Sequence, residues 1–121
     1  MTTTAVLITG TSSGIGRATA LRLAAHPELT VYATARHPEI LTDLAEAGAR
    51  TLALDVTDEQ SMREAVATVE AEHGAVGMLV NNAGYGEYGT VEETDLDKVR
   101  SQFETNVFGL ARMVQLGLPG M

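Results

Sequence analysis

The stretch Thr9–Gly16, TGTSSGIG, sets Gly10, Gly14 and Gly16 among the hydroxyls of Thr11, Ser12 and Ser13. Glycine adopts backbone angles closed to other residues and lets another group approach the main chain. If a helix begins here, the unpaired amides of its first turn point outward, with a dipole that favours an anion. Amides and hydroxyls together make a cradle suited to pyrophosphate. The spacing is G-x-x-x-G-x-G, which differs from the commoner dinucleotide spacing G-x-G-x-x-G. It is not a Walker loop either, because Ile15 and Gly16 follow Gly14 where Lys and Ser or Thr would stand. The chain has no cysteine, so thiolate chemistry is excluded. His26, His37 and His73 show no metal-ligand spacing and read as helix-boundary or surface residues.

The elements around this turn alternate two hydrophobic periods. Thr4–Thr9 (TAVLIT), Leu29–Ala35 (LTVYATA), Arg50–Leu54 (RTLAL) and Val76–Val80 (VGMLV) read as strands. The spacing predicts helices over Ile15–Ala25, Glu39–Ala47 and Asp58–His73, and a longer one from near Asp95. Ile15, Ala18, Leu21 and Ala25 form the expected apolar side of the first. Leu96, Val99, Phe103, Val107, Leu110 and Val114 form the stripe of the last. Thr57 with Gln60, and Thr94 with Asp97, are the expected capping pairs. Continuous apolar strands between helices indicate an α/β fold, a parallel sheet covered on both faces. The segment Tyr85–Glu93 has neither period and is expected to be a loop. Its Tyr85 and Tyr88 suit either substrate contact or the covering of apolar surface.

Sixteen acidic residues against eight basic ones give a formal charge of −8, which argues against nucleic acid as a main partner. No apolar run approaches a membrane span. The start MTTTAVLITG lacks the basic region and long apolar core of a secretory signal, so a cytoplasmic location is expected.

TGTSSGIG at the first strand–helix junction, LALDVTD (Leu52–Asp58) after the third strand, LVNNAG (Leu79–Gly84) after the fourth and FETNVFG (Phe103–Gly109) in the long helix occur in this order. With these motifs the chain resembles the short-chain dehydrogenase/reductase family over essentially its whole length. The resemblance implies a Rossmann-type doubly wound parallel sheet and hydride transfer to or from a nicotinamide cofactor. It implies that Gly10, Gly14 and Gly16 form the pyrophosphate turn, with Ser12 and Ser13 near the phosphates and Ile15 in contact through its backbone, and Thr11 joins them as a cofactor-binding candidate. Asp55 would accept from the adenine amino group and Val56 would pack against adenine. Asn82, Ala83 and Gly84 would line the adenosine ribose and the central sheet. Taken alone, Asp55 also suits a turn start, and the Asn81–Asn82 pair also suits bridging strands.

Asn106 matches the family's helix asparagine, whose role is catalytic: a local bend frees a carbonyl that holds a water in the proton relay. Asn is also a poor mid-helix residue whose amide needs partners when buried. In YATAR, Ala35 stands where an NAD-selective acid would lie and Arg36 follows. An arginine fork suits the extra phosphate, so NADP(H) is favoured and NAD(H) is possible.

Family members continue into a fifth strand, a serine, and a Tyr-x-x-x-Lys pair. This chain has no such pair and a single lysine, Lys98. Residues 1–121 therefore read as the N-terminal nucleotide-binding portion of one Rossmann domain, ending after four strands and the long fourth helix. The fragment alone is expected to lack turnover. YATAR with NNAGYGEYG resembles the steroid- and retinol-type branch, which implies a small apolar alcohol or ketone as substrate, and intact members are commonly homodimers or homotetramers. Two alternatives are a non-catalytic dinucleotide-binding or regulatory module and a sugar-nucleotide epimerase from the extended relatives.

Overall fold

The computed structural model describes residues 2–121. Four strands, β1 (Thr4–Ile8), β2 (Leu29–Ala35), β3 (Arg50–Ala53) and β4 (Met78–Val80), form one parallel sheet in the order β3-β2-β1-β4. Helices α1 (Gly14–Ala24), α2 (Thr42–Glu46) and α3 (Glu59–His73) carry the crossovers. After β4 come α4 (Leu96–Phe103), a π-helical turn (Glu104–Gly109) and α5 (Leu110–Gly117). This is the expected doubly wound α/β architecture.

The period of two along β1 explains the two cores. Val6 and Ile8 face a cluster with Ala20 of α1 and Leu44 of α2. Ala5 and Leu7 face the opposite cluster, with Met62, Val66 and Val69 of α3 and Met113 of α5. β1 has β2 on one side and β4 on the other, so the chain reverses its direction of growth around β1. In such sheets a crevice opens at the carboxyl ends of the strands where the order reverses.

Several sequence expectations need correction. The N-cap of α3 is Asp58, not Thr57: its carboxylate accepts from the amides of Gln60 (3.0 Å) and Ser61 (3.3 Å). The N-cap of α4 is Asp95, not Thr94, and accepts from the Asp97 amide at 2.9 Å. Both aspartates are as competent as threonine to cap, and the helices begin one residue later than their Thr pairs required. Of the α1 stripe, Ile15, Ala18 and Ala25 are exposed; the buried positions are Gly16 and Ala20. Most of the apolar stripe on α4 and α5 also faces outward. Phe103 is 52% exposed and Leu110 41%, while Gly109, Met113 and Gly117 are buried. The expected single long helix is divided by the π turn at Glu104–Gly109.

Candidate functional site

The crevice begins where β1 ends. Gly10 and Gly14 sit at φ +69° and +59°, the left-handed region that L side chains rarely adopt. Between them the chain is fixed by Thr11. Its amide and hydroxyl both donate to the Thr34 carbonyl, at 2.9 and 3.0 Å, and its side chain is buried. The Thr11 hydroxyl therefore faces β2, not the crevice. Gly16 is buried beneath the turn, where a β-carbon would collide with the Gly10 carbonyl and the Asn82 amide.

α1 then starts with its N-cap residue, Ser13, making no side-chain bond and with no acid in the first turn. Amides of the first helical turn have no intrahelical acceptor. Ser12, Ser13, Gly14 and Ile15 line the crevice beside them. This explains the exposure of Ile15, which borders the opening.

The opposite wall comes from β4. Asn82 donates its side-chain amide to the carbonyls of Thr9 (3.1 Å) and Gly10 (2.9 Å). The amides of Asn82 and Ala83 donate to the Thr9 hydroxyl oxygen at 3.0 and 2.9 Å. Asn82 thus bridges β1 and β4, while Asn82, Ala83 and Gly84 also line the crevice. Thr9 escaped the sequence reading, although a threonine closing an apolar strand before a glycine turn was the available signal.

β2 and β3 supply the far end. Ala35 closes β2 and Arg36 follows it, while Leu54, Asp55 and Val56 follow β3. One Asp55 oxygen, Oδ1, accepts from the Thr57 amide (2.9 Å) and hydroxyl (2.7 Å), and the Asp55 amide donates to the Ser61 hydroxyl. Oδ2 has no hydrogen-bond partner among the described residues. Partial burial raises the Asp55 pKa, but the Thr57 bonds and the nearby Arg36 charge outweigh it and hold the carboxyl below its ordinary value. The turn-forming and crevice-facing roles of Asp55 thus coexist.

Asn106 lies behind the wall. It sits in the π turn, accepting from the Tyr85 amide at 3.0 Å and donating to the Tyr85 carbonyl at 2.6 Å. Tyr85 and Thr105 line the crevice; Thr105 was not singled out from sequence. Of the candidate residues, Gly10, Ser12, Ser13, Gly14, Ile15, Arg36, Asp55, Val56, Asn82, Ala83 and Gly84 share one cavity of about 620 Å³. Thr11, Gly16 and Asn106 support it from outside. A cavity of this size, with an anion-ready helix start at one side and Arg36 with Asp55 at the other, suits an elongated phosphate-bearing ligand.

Residues 4–121 match the family model described as short chain dehydrogenase. The chain belongs to the short chain dehydrogenase family. It is 42% identical over 132 residues to human 17-beta-hydroxysteroid dehydrogenase type 1, covering 100% of this chain and 40% of that protein. A short-chain dehydrogenase structure from Streptomyces avermitilis superposes with a TM-score of 0.90 at 41% identity, covering 99% of this chain and 45% of that one. An NADPH-bound carbonyl reductase from chicken fatty liver superposes with a TM-score of 0.87 at 28% identity, covering 99% and 50%. The chain spans about 40% of the length of the curated relatives it matches. None of its helices, among the described residues, is long and apolar enough to cross a membrane.

Proposed function

We propose that these residues form the NADP(H)-binding portion of an oxidoreductase that interconverts an alcohol and a carbonyl. One observation carries this: a single cavity joins the unpaired start of α1 to Arg36 and Asp55. When bound, the nicotinamide supplies or accepts the hydride. The turn at Gly10 and Gly14, the first amides of α1 through Ile15, and the Ser12 and Ser13 hydroxyls hold the pyrophosphate. Thr11 and Gly16 fix the shape of that turn. Arg36 presents its planar fork to the 2′-phosphate. Asp55 offers Oδ2 to the adenine amino group, and Val56 packs on the adenine face. Asn82, Ala83 and Gly84 line the ribose. Asn106 serves the proton path through its main-chain carbonyl, its side chain being engaged with Tyr85.

Likeness to human 17-beta-hydroxysteroid dehydrogenase type 1 and to an NADPH-bound carbonyl reductase supports an apolar secondary alcohol or ketone as substrate and NADP(H) over NAD(H). Homodimers or homotetramers, a cytoplasmic setting and no nucleic-acid partner complete the proposal. A preparation of residues 1–121 is expected to bind NADPH without reducing ketones. Its single lysine, Lys98, is exposed at the start of α4, and Thr94 rather than a tyrosine lies four residues before it.

Calorimetric titration with NADPH and NADH, before and after Arg36→Ala, tests the cofactor assignment. Loss of a charged hydrogen bond predicts roughly 10–100-fold weaker NADPH binding and little change for NADH. Equal affinities for the two cofactors in the unaltered chain overturn it.

A further inference from the structure

We propose that Gly109 is a positioning residue that sets the adenine end of the crevice in register with the Asn106–Tyr85 clamp, the π turn acting as a strap between them. The proposal builds on the assignment of Asp55 and Val56 as the adenine wall. Gly109 is buried at the last position of the π turn, against the loop that follows β3. A β-carbon at Gly109 would lie 2.5 Å from the Val56 carbonyl oxygen and 2.9 Å from the Val56 β-carbon. The nearest atom is backbone, so relief requires either the Asp55–Val56 loop or the π turn to move.

The same short turn holds the other end of the crevice. Three residues before Gly109, Asn106 bonds both polar groups of the Tyr85 backbone. The approach is tight there too, since a β-carbon on Gly84 would meet Asn106 Oδ1 at 3.0 Å. A π turn carries one more residue in each hydrogen-bonded ring than an α turn. The wider ring opens the angle between positions three apart, so Asn106 and Gly109 address different elements. π turns inside α-helices concentrate at functional sites.

A second anchor keeps the strap from relaxing. Arg112, in the next turn, donates to both carboxylate oxygens of Glu59, at 2.8 and 2.7 Å, and Glu59 opens α3 directly beyond the same loop. The loop is therefore fixed on its two sides by α5 and the π turn. A displacement at Val56 can pass into the crevice it lines or into the Glu104–Gly109 turn, and that turn leads to Thr105, Asn106 and Tyr85.

Gly109→Ala in the intact chain tests this with two readouts. The adenine-half probe 2′,5′-ADP is expected to bind about tenfold more weakly, a typical consequence of overpacking one methyl group. The amide resonance of Tyr85 is expected to shift although the substitution lies 24 positions away in sequence. Gly117→Ala is the control, because Gly117 is buried in α5 yet a β-carbon there meets nothing within 4 Å. It should leave both readouts unchanged. Unchanged Tyr85 resonance and probe affinity in Gly109→Ala overturn the proposal, as does an equal change in Gly117→Ala.

If Gly109→Ala does not fold, Asn106→Ala replaces it. The Val56 amide resonance should then shift, and a stationary one overturns the proposal. If the unaltered chain fails to bind 2′,5′-ADP, the nucleotide assignment has failed. The Tyr85 resonance in Gly109→Ala then decides the coupling by itself.

Discussion

Two helices leave the carboxyl ends of β1 and β3, the strands on either side of β2, and their first turns are built oppositely. At α3, Asp58 accepts from two backbone amides and Glu59 adds a second carboxylate to the first turn. At α1, Ser13 makes no side-chain bond and no acid follows it. A capped helix start satisfies its own amides and contributes stability. An uncapped start beside a cavity keeps those donors for a ligand. The difference shows where this fold gives up self-sufficiency, and it does so at the turn that Gly10 and Gly14 shape.

The most severe way to break the comparison is Gly10→Ala. A side chain there meets a left-handed φ and a β-carbon 2.9 Å from the Ala83 α-carbon. Strain and overpacking together are expected to cost about 3 kcal/mol in stability. Urea denaturation would measure this, and a loss below about 1 kcal/mol would contradict the close approach. Ser13→Asp would make α1 resemble α3. Without ligand it should raise stability by about 0.5–1 kcal/mol. It should also weaken NADPH by at least roughly tenfold, because a fixed carboxylate occupies the anion's place. Thermal melts with and without NADPH separate the two effects, and tighter NADPH binding by Ser13→Asp would refute the contrast.

Asp58→Ala makes α3 resemble α1. Loss of the cap should remove about 1 kcal/mol of stability while NADPH affinity holds. The mildest effect is acid sensitivity. Thr57's bonds to Asp55, working against burial, hold that carboxyl below its ordinary value, and Arg112's bonds do the same for Glu59. Folded-state values below the unfolded ones mean that this stability is present above the ordinary carboxylate range. It is lost as pH falls through the depressed values. Urea denaturation should show stability falling as pH drops below about 4, and an unchanged stability there would count against the assignment.

Much of this was legible in sequence because the cues were local. Strand periods, the glycine turn and the strand–helix alternation all fix backbone conformation within a few residues. Asp55 and Asn82 could be placed because each ends a readable strand. The long helix was read less well for a physical reason. Periodicity showed that Phe103, Val107 and Leu110 share a face, but not that the adjoining line of Gly109, Met113 and Gly117 enters the core. Two of these three are glycines, so Met113 alone carries the hydrophobic signal of the buried line. The π turn has no signature in a 3.6-residue pattern. The bonding of Thr11 to Thr34, and of Asn106 to Tyr85, depends on strands and loops brought together from distant sequence.

The joint between Thr9 and Asn82 spans 73 positions and has a consequence for how the chain folds. β1, β2 and β3 pair through short crossovers, whereas β4 must return across the sheet to the free side of β1. Long-range closures of this kind are slow steps, since chain entropy is lost before the contacts form. A partly folded chain with β4 undocked has no Asn82 amide beneath Gly10 and no finished turn. Under the proposed assignment, a nucleotide that recognises only the closed turn would draw the final docking step forward by mass action, making the crevice a checkpoint on completed folding.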